Sequence, residues 1–250
     1  MMKKIESALI DGSDARDRML WMVVFFGLLA GYCFCYAPWG INETDGGFLT
    51  GLAWQVLSGK TLYQDVIYVR PPLPVWLRAI EMHILPEHWA VLGERWIFYL
   101  KVGLYSWCGA AVLASAARRW MLAAFGFVVS VHCYPPMAWH TVDGILFSVL
   151  GIWCVKKIPW SGGAVLAGVS ICAALLCKQS FYPIVAVFAG MVLFDFNLRK
   201  VIFTRLYLPN ACVIFWLSRR LLKITHMLVT ETVPEGFASM PGNIMTRLRL

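Results

Sequence analysis

The residues best suited to chemistry lie in one stretch between two apolar segments, Asn42–Leu77. This stretch contains the carboxylates Glu43, Asp45 and Asp65, and also the basic residue Arg70, which precedes two prolines. Asp45 is followed by two glycines, which leave room for a ligand to approach the backbone. A carboxylate here can accept a proton from a hydroxyl group as a general base, or it can cap the positive end of the following helix. Residue types and spacing leave both roles open.

Two cations could bind an anion near these carboxylates. The guanidinium of Arg70 suits bidentate contacts to phosphate, whereas the ammonium of Lys178 acts as a point charge. Arg70 could instead contact lipid headgroups. Lys178 could instead have no binding role and simply lie at the end of an apolar segment. Asp143 could hold a metal, orient an acceptor or pair with Lys178. His132 and His140 lie near it in sequence, but their loose spacing leads us to interpret the group as ordinary polar packing.

Composition places the chain in a membrane. Of its 250 residues, 60% are hydrophobic and 14% are charged, and the mean hydropathy is +0.66. Soluble domains are typically about 25% charged. The net charge of +8 is better explained by basic residues in short cytoplasmic loops than by nucleic-acid binding. The eight cysteines lie in or near apolar runs with no C-x-x-C spacing, so we expect buried thiols rather than disulfides or a zinc site.

The predicted fold is all-α, a transmembrane bundle of six or seven spans of the ~20 residues that cross a bilayer. The predicted spans are Met19–Ile41, Trp96–Ala117, Trp120–Pro136, Met137–Val155, Pro159–Cys177 and Phe181–Phe196, with Val201–Ser218 as a candidate seventh. Residues 1–18 would form a cytoplasmic tail, 19–218 the membrane domain and 219–250 an unassigned tail. The first non-cytoplasmic loop, 42–95, contains two amphipathic patterns, Phe48–Leu57 and Pro72–Leu85, which predict helices lying in the membrane interface.

The distribution of charge sets the orientation. Basic residues cluster at alternate span ends, which would be cytoplasmic by the positive-inside rule if the N-terminus is cytoplasmic. This orientation places Asn42–Leu77, Asp143 and Lys178 together on the non-cytoplasmic side. We expect an integral protein of the bacterial inner (plasma) membrane.

As an ordered set, these motifs resemble those of the GT-C class of membrane glycosyltransferases, in the branch with the protein O-mannosyltransferases and the lipid A aminoarabinose transferases. The matching motifs are Asp45-Gly46-Gly47-Phe48, the segment from Gly59 to Asp65, Arg70-Pro71-Pro72-Leu73, Gly93-Glu94-Arg95 and the glycine-rich segment Gly168–Gln179. The family usually has a second acid where this chain has Gly46, and Glu43 could substitute for it. Family members are also commonly much longer, so we expect this chain to correspond to their N-terminal half.

The resemblance implies transfer of a sugar from a polyprenyl-phosphate donor to an acceptor outside the cytoplasm, with inversion at the anomeric carbon. Asp45 would be the catalytic base, Arg70 would bind the lipid phosphate and Lys178 would assist it. Glu43, Asp65 and Asp143 would be supporting acids. The acceptor, which could be a lipid, a glycan or a protein, stays open, and so does a divalent metal, because the class contains members of both kinds.

Two other interpretations compete with an enzyme. One is a non-catalytic or truncated membrane protein that retains the lipid-phosphate-binding loop and serves as a partner subunit or is a remnant. The other is a transporter or channel, which we disfavour because the sequence shows no internal repeat.

Overall fold

The computed structural model describes residues 2–39, 45–86, 89–158 and 161–194, all of which belong to one compact unit, Met1–Lys200. Glu43, the candidate seventh span Val201–Ser218 and the tail 219–250 lie outside the described residues. The described part is all-α, as predicted, and contains no β-strand.

Eight α-helices make up the described part of the chain. They are α1 Met2–Gly31, α2 Asp45–Leu57, α3 Leu73–Ile84, α4 Ala90–Leu113, α5 Ala116–Cys133, α6 His140–Lys157, α7 Ser161–Cys177 and α8 Pro183–Phe194. A π-helical turn, Tyr32–Tyr36, continues α1, and a 3-10 turn, Gln179–Phe181, separates α7 from α8. Helices α2 and α3 confirm the two helices predicted in the first loop. Helix α1 begins at Met2 and continues without a break into the predicted first span, so residues 2–18 of the predicted tail are helical.

Two of the described helices are long and apolar enough to cross a membrane. They are the segment Ala15–Tyr36, which comprises the second half of α1 and its π-helical turn, and all of α4, Ala90–Leu113. Shorter apolar helices occur at Gly162–Cys177 and Gln179–Gly190. The first two match the first and second predicted spans in position.

The core lies between α1, α4, α5 and α6. Phe25 of α1, Phe98 and Val102 of α4, Phe127 of α5 and Val142 of α6 are all buried in it. The rings of Phe25 and Phe127 meet edge to face, with centroids 6.2 Å apart. A second, smaller core joins α2 and α3 to the loop between them through other apolar side chains, including Leu49, Leu52, Val66 and Val75. The loop between α2 and α3 is therefore packed against both helices through buried apolar side chains.

Glycines allow α6 to pack closely against α7 and the turn that follows it. A Cβ atom at Gly151 would lie 2.9 Å from Cγ1 of Ile171, and one at Gly144 would overlap the ring of Phe181. Phe181 belongs to the turn directly after Lys178. A side chain at position 144 would displace Phe181 and with it the turn that follows Lys178. The position of Lys178 relative to α6 therefore depends on glycine at position 144.

Gly144→Ala is expected to lower the free energy of unfolding by about 1–3 kcal/mol, because the added methyl group forces Phe181 away from α6. The matched control is Gly168→Ala in α7, where an added Cβ meets no atom within 4 Å. That change is expected to be neutral or to stabilise the helix by up to about 1 kcal/mol. Reversible SDS unfolding in mixed micelles measures both. Equal effects of the two substitutions would contradict this account of the contact.

Candidate active site

The two cations predicted from the sequence meet at the start of α6. Nη1 of Arg70 lies 3.2 Å from both ring nitrogens of His140, the first residue of the helix. Nζ of Lys178 donates a hydrogen bond of 3.2 Å to Oγ1 of the next residue, Thr141. His140 is buried, whereas Arg70 and Lys178 are half-buried. Cations from distant parts of the chain thus lie at one end of one helix.

The partners of both cations are neutral. A guanidinium can only donate hydrogen bonds, so the nitrogen of His140 that accepts from Arg70 is unprotonated. Thr141 contributes a hydroxyl group. The ion pairs formed among the described residues do not include Arg70 or Lys178. The positive end of the α6 dipole adds to the field of the two cations. Such a site favours an anion.

The loop before α3 holds Arg70 through a constrained turn. Tyr63 has a φ angle of +74°, a conformation that costs a residue with a side chain about 1–2 kcal/mol. Its N–H donates to the carbonyl of Val66 at 2.9 Å, and its hydroxyl donates to the carbonyl of Arg70 at 2.6 Å. Asp65 is exposed and accepts a hydrogen bond of 2.7 Å from the backbone of Thr61. The position of Asp65 is therefore that of a turn-forming residue.

Two tyrosines flank Arg70. Burial raises the pKa of Tyr63 far above its ordinary value, and it raises the pKa of Tyr68 to about 12, although the charge of Arg70 opposes the second shift. Both phenols therefore stay protonated and neutral at physiological pH. The Tyr63 hydroxyl donates to the carbonyl of Arg70, and both rings add apolar surface beside the cation but no negative charge.

Asp45 is the first residue of α2 and is exposed. The next residue, Gly46, packs against the segment that leads into α6: a Cβ atom at position 46 would lie 3.3 Å from Cβ of Met137. The start of α2 and the two cations therefore approach the same short segment, residues 137–141. This position at the end of a helix is compatible with Asp45 as a base and with Asp45 as a cap.

Glu94 and Arg78 form a buried ion pair that sequence reasoning did not identify. Oε2 of Glu94 lies 2.6 Å from Nη2 of Arg78 and accepts a hydrogen bond of 3.2 Å from Thr50. Oε1 accepts from the backbone N–H of Ala138. A Cβ atom at Gly46, where the resembling family has an acid, would lie 3.5 Å from Oε1 of Glu94. The absent side chain at position 46 thus leaves the α2 backbone close to a buried carboxylate of α4.

The sequence signals for this pair were charges at helix positions otherwise rich in apolar residues and, for Glu94, its place in the motif Gly93-Glu94-Arg95. Arg78 lies within the amphipathic pattern of α3 and Glu94 just before the apolar run of α4. The partners lie on different helices, and no spacing rule links such residues.

Asp143 pairs with a cation other than Lys178. Nζ of Lys101 in α4 lies 2.7 Å from Oδ1 of Asp143 and 2.8 Å from Oε1 of Glu81 in α3. Glu81 is also 3.4 Å from Nη1 of Arg78. Asp143 is 2% exposed and lies one turn into α6. This geometry is that of polar packing between helices. Within the described ranges, no group of three or more His, Cys, Asp or Glu residues could hold a metal ion.

The start of α6 therefore combines two cations, neutral hydrogen-bonding partners and a nearby exposed carboxylate at the start of α2. The cations can bind a phosphate, and the carboxylate can accept a proton. Comparison of the chain with protein families, with characterised proteins and with solved structures found no match.

Proposed function

We propose that this protein is a membrane glycosyltransferase that moves a sugar from a polyprenyl-phosphate donor to an acceptor on the non-cytoplasmic face, with inversion. The observation that carries the proposal is the convergence of Arg70 and Lys178 at the start of α6, where both have neutral partners. Of the other buried or half-buried cations of this region, Arg78 and Lys101 are each paired with carboxylates, whereas Arg95 donates to the backbone carbonyls of Ala37 and Pro136. Cations paired with neutral groups remain available to a phosphate.

The proposed membrane arrangement has six spans: α1, α4, α5, α6, α7 and α8. Helices α5 and α6 have 18 residues and α7 has 17, near the lower limit of the ~17–25 residues that span a bilayer. The contact between Lys178 and Thr141 supports a common side for the end of α7 and the start of α6. The opposite end of α6 carries Lys156 and Lys157, as expected for its cytoplasmic end.

In the proposed reaction, the oxygen of the acceptor hydroxyl attacks the anomeric carbon, and Asp45 accepts the proton of that hydroxyl. The bond between that carbon and the phosphate oxygen breaks, and its electron pair passes to the phosphate. Arg70 and Lys178 stabilise the negative charge that develops there. A single displacement inverts the anomeric carbon. Asp65 and Asp143 support the site through the turn before Arg70 and through the packing of α6, respectively.

The proposal predicts that a polyprenyl phosphate binds the purified protein and that Arg70→Ala and Lys178→Ala each weaken binding by about tenfold or more, because each removes a charge-assisted hydrogen bond. Lys60→Ala is the control, since Lys60 is an exposed cation of the same loop. Microscale thermophoresis in nanodiscs measures the dissociation constants. If the wild-type protein binds the phosphate no better than the corresponding polyprenol, the proposal is wrong, and the non-catalytic interpretation replaces it.

A further inference from the structure

We infer that the site at the start of α6 binds a phosphate monoester dianion, the leaving group of the reaction, more tightly than the phosphodiester of the donor. This inference rests on the proposed function and adds to it a preference between two forms of the same lipid. The preference follows from the number of charges that the described side chains bring to the site.

The site presents two positive charges, from Arg70 and Lys178. Their hydrogen-bonding partners, His140 and Thr141, contribute no negative charge. Asp143, on the same first turn of α6, is within 2.7 Å of Lys101 and so already has a cation. A ligand with two negative charges would therefore neutralise the two cations, whereas a ligand with one would leave a positive charge. The carboxylate of Asp45, at the nearby start of α2, weakens this preference but does not reverse it, because it is one charge against two.

Two other cations, Arg78 and Lys101, are compensated by carboxylates of the protein itself. Arg78 and Lys101 contact three carboxylates, those of Glu81, Glu94 and Asp143, at 2.6–3.4 Å. Burial of a charge is costly unless an opposite charge compensates it. Arg70 and Lys178 are half-buried, and their partners are neutral groups instead of carboxylates. Arg95 is also buried with neutral partners, the carbonyls of Ala37 and Pro136, so neutral partners alone do not require a ligand. Arg70 and Lys178 differ from it in being two half-buried cations at one helix end, where a dianion can contact both.

The chemistry of the reaction changes the ligand charge by one unit. In the donor, the phosphate is a diester with one negative charge. When the bond between the anomeric carbon and the phosphate oxygen breaks, the electron pair stays on that oxygen, and the acceptor proton passes to Asp45. The polyprenyl phosphate that leaves is a monoester, which carries nearly two negative charges at neutral pH because its second pKa is about 6.

Tighter binding of the leaving group has two consequences. Interactions that strengthen as the bond breaks lower the barrier of the chemical step, because they are stronger in the transition state than in the ground state. The same interactions retain the product, so polyprenyl phosphate would inhibit the enzyme in competition with the donor. His140 and Thr141 hold the two cations in place between turnovers, and the dianion replaces these neutral contacts with charge-assisted hydrogen bonds.

The test compares three ligands with the same polyprenyl chain in nanodiscs at about pH 8, above the second pKa of the monoester. The ligands are the phosphate monoester, its methyl diester and the free alcohol. The monoester is expected to bind about tenfold or more tightly than the diester, since one extra charge interacts with two cations. Arg70→Gln and Lys178→Gln are each expected to reduce this ratio to about threefold or less. Lys60→Gln, the exposed control in the same loop, should keep the wild-type ratio.

The outcomes separate the inference from the proposed function. Equal binding of monoester and diester, both above the alcohol, would overturn the inference and leave the glycosyltransferase proposal standing. Binding of neither phosphate above the alcohol would overturn both. Phosphatidic acid, a monoester on a different apolar chain, is measured beside them. If phosphatidic acid binds the site as tightly as polyprenyl phosphate, the preference for a dianion stands, and the proposal that the donor is a polyprenyl phosphate is wrong.

Discussion

Asp45→Asn is expected to reduce sugar transfer by about 10²- to 10⁴-fold, the usual contribution of a general base. Asparagine separates the two roles that the geometry allows, because it caps a helix as well as aspartate does but does not accept a proton from a hydroxyl group. Asp45 is the exposed first residue of α2, so the substitution is expected to leave folding and expression unchanged. The measurement is transfer of label from a panel of polyprenyl-phosphate sugars to membrane acceptors in proteoliposomes.

The control for this substitution is Asp17→Asn, which removes the same charge from an exposed position on α1. It is expected to leave transfer at the wild-type rate. Equal transfer by the wild-type protein and the Asp45→Asn variant would show that Asp45 is only a cap, and the base would then have to be sought elsewhere. Retained binding of polyprenyl phosphate by Asp45→Asn is also expected, because the proposal assigns phosphate binding to Arg70 and Lys178.

Arg78→Met is expected to destabilise the protein by about 3–5 kcal/mol, because it leaves the buried carboxylate of Glu94 without its cation. The arginine side chain is fully buried and donates 3.1 Å and 2.9 Å hydrogen bonds to Thr50 of α2 and to the carbonyl of Ala90 in α4. It therefore joins the two helices of the first loop to α4. Equilibrium unfolding in SDS, followed by tryptophan fluorescence, measures the change.

A double substitution tests whether the charge is the cause. In Arg78→Met with Glu94→Gln, the glutamine oxygen can still accept from the N–H of Ala138, the unpaired charge at position 94 is removed, and Glu81 keeps its contact with Lys101. The double variant is expected to be more stable than Arg78→Met alone. Arg18→Met, at an exposed position on α1, should change stability by less than about 0.5 kcal/mol. Simple additivity of the two single changes would contradict coupling of the pair.

The Arg78–Glu94 pair also matters for the site. Glu94 contacts α2 through Thr50, α3 through Arg78 and the segment before α6 through Ala138. The first of these elements begins with Asp45, and the last leads to the residues that contact Arg70 and Lys178. The pair thus lies where the elements that carry the proposed base and the proposed phosphate-binding residues come together.

Local patterns in the sequence were sufficient to predict the helices. Apolar residues at helical spacing predicted α2 and α3, and long apolar runs, the second of them broken by Lys101, predicted the second half of α1 and most of α4. These predictions succeed because helical hydrogen bonds and the apolar face of a helix depend on residues close in sequence. The same patterns indicated Arg70 and Lys178 as cations at element ends, which the structure brings to one end of α6.

The partners of the charged residues were decided only by the tertiary structure. Asp143 pairs with Lys101, Glu94 with Arg78, and Arg70 contacts the neutral ring of His140. Each of these pairs joins different elements, so its formation depends on how each helix is rotated about its axis and on where the helices pack. No spacing along the chain encodes that rotation. The sequence by itself determined which residues carry charge and where most of the helices lie, whereas packing decided which charges are paired with an opposite charge inside the protein and which have neutral partners.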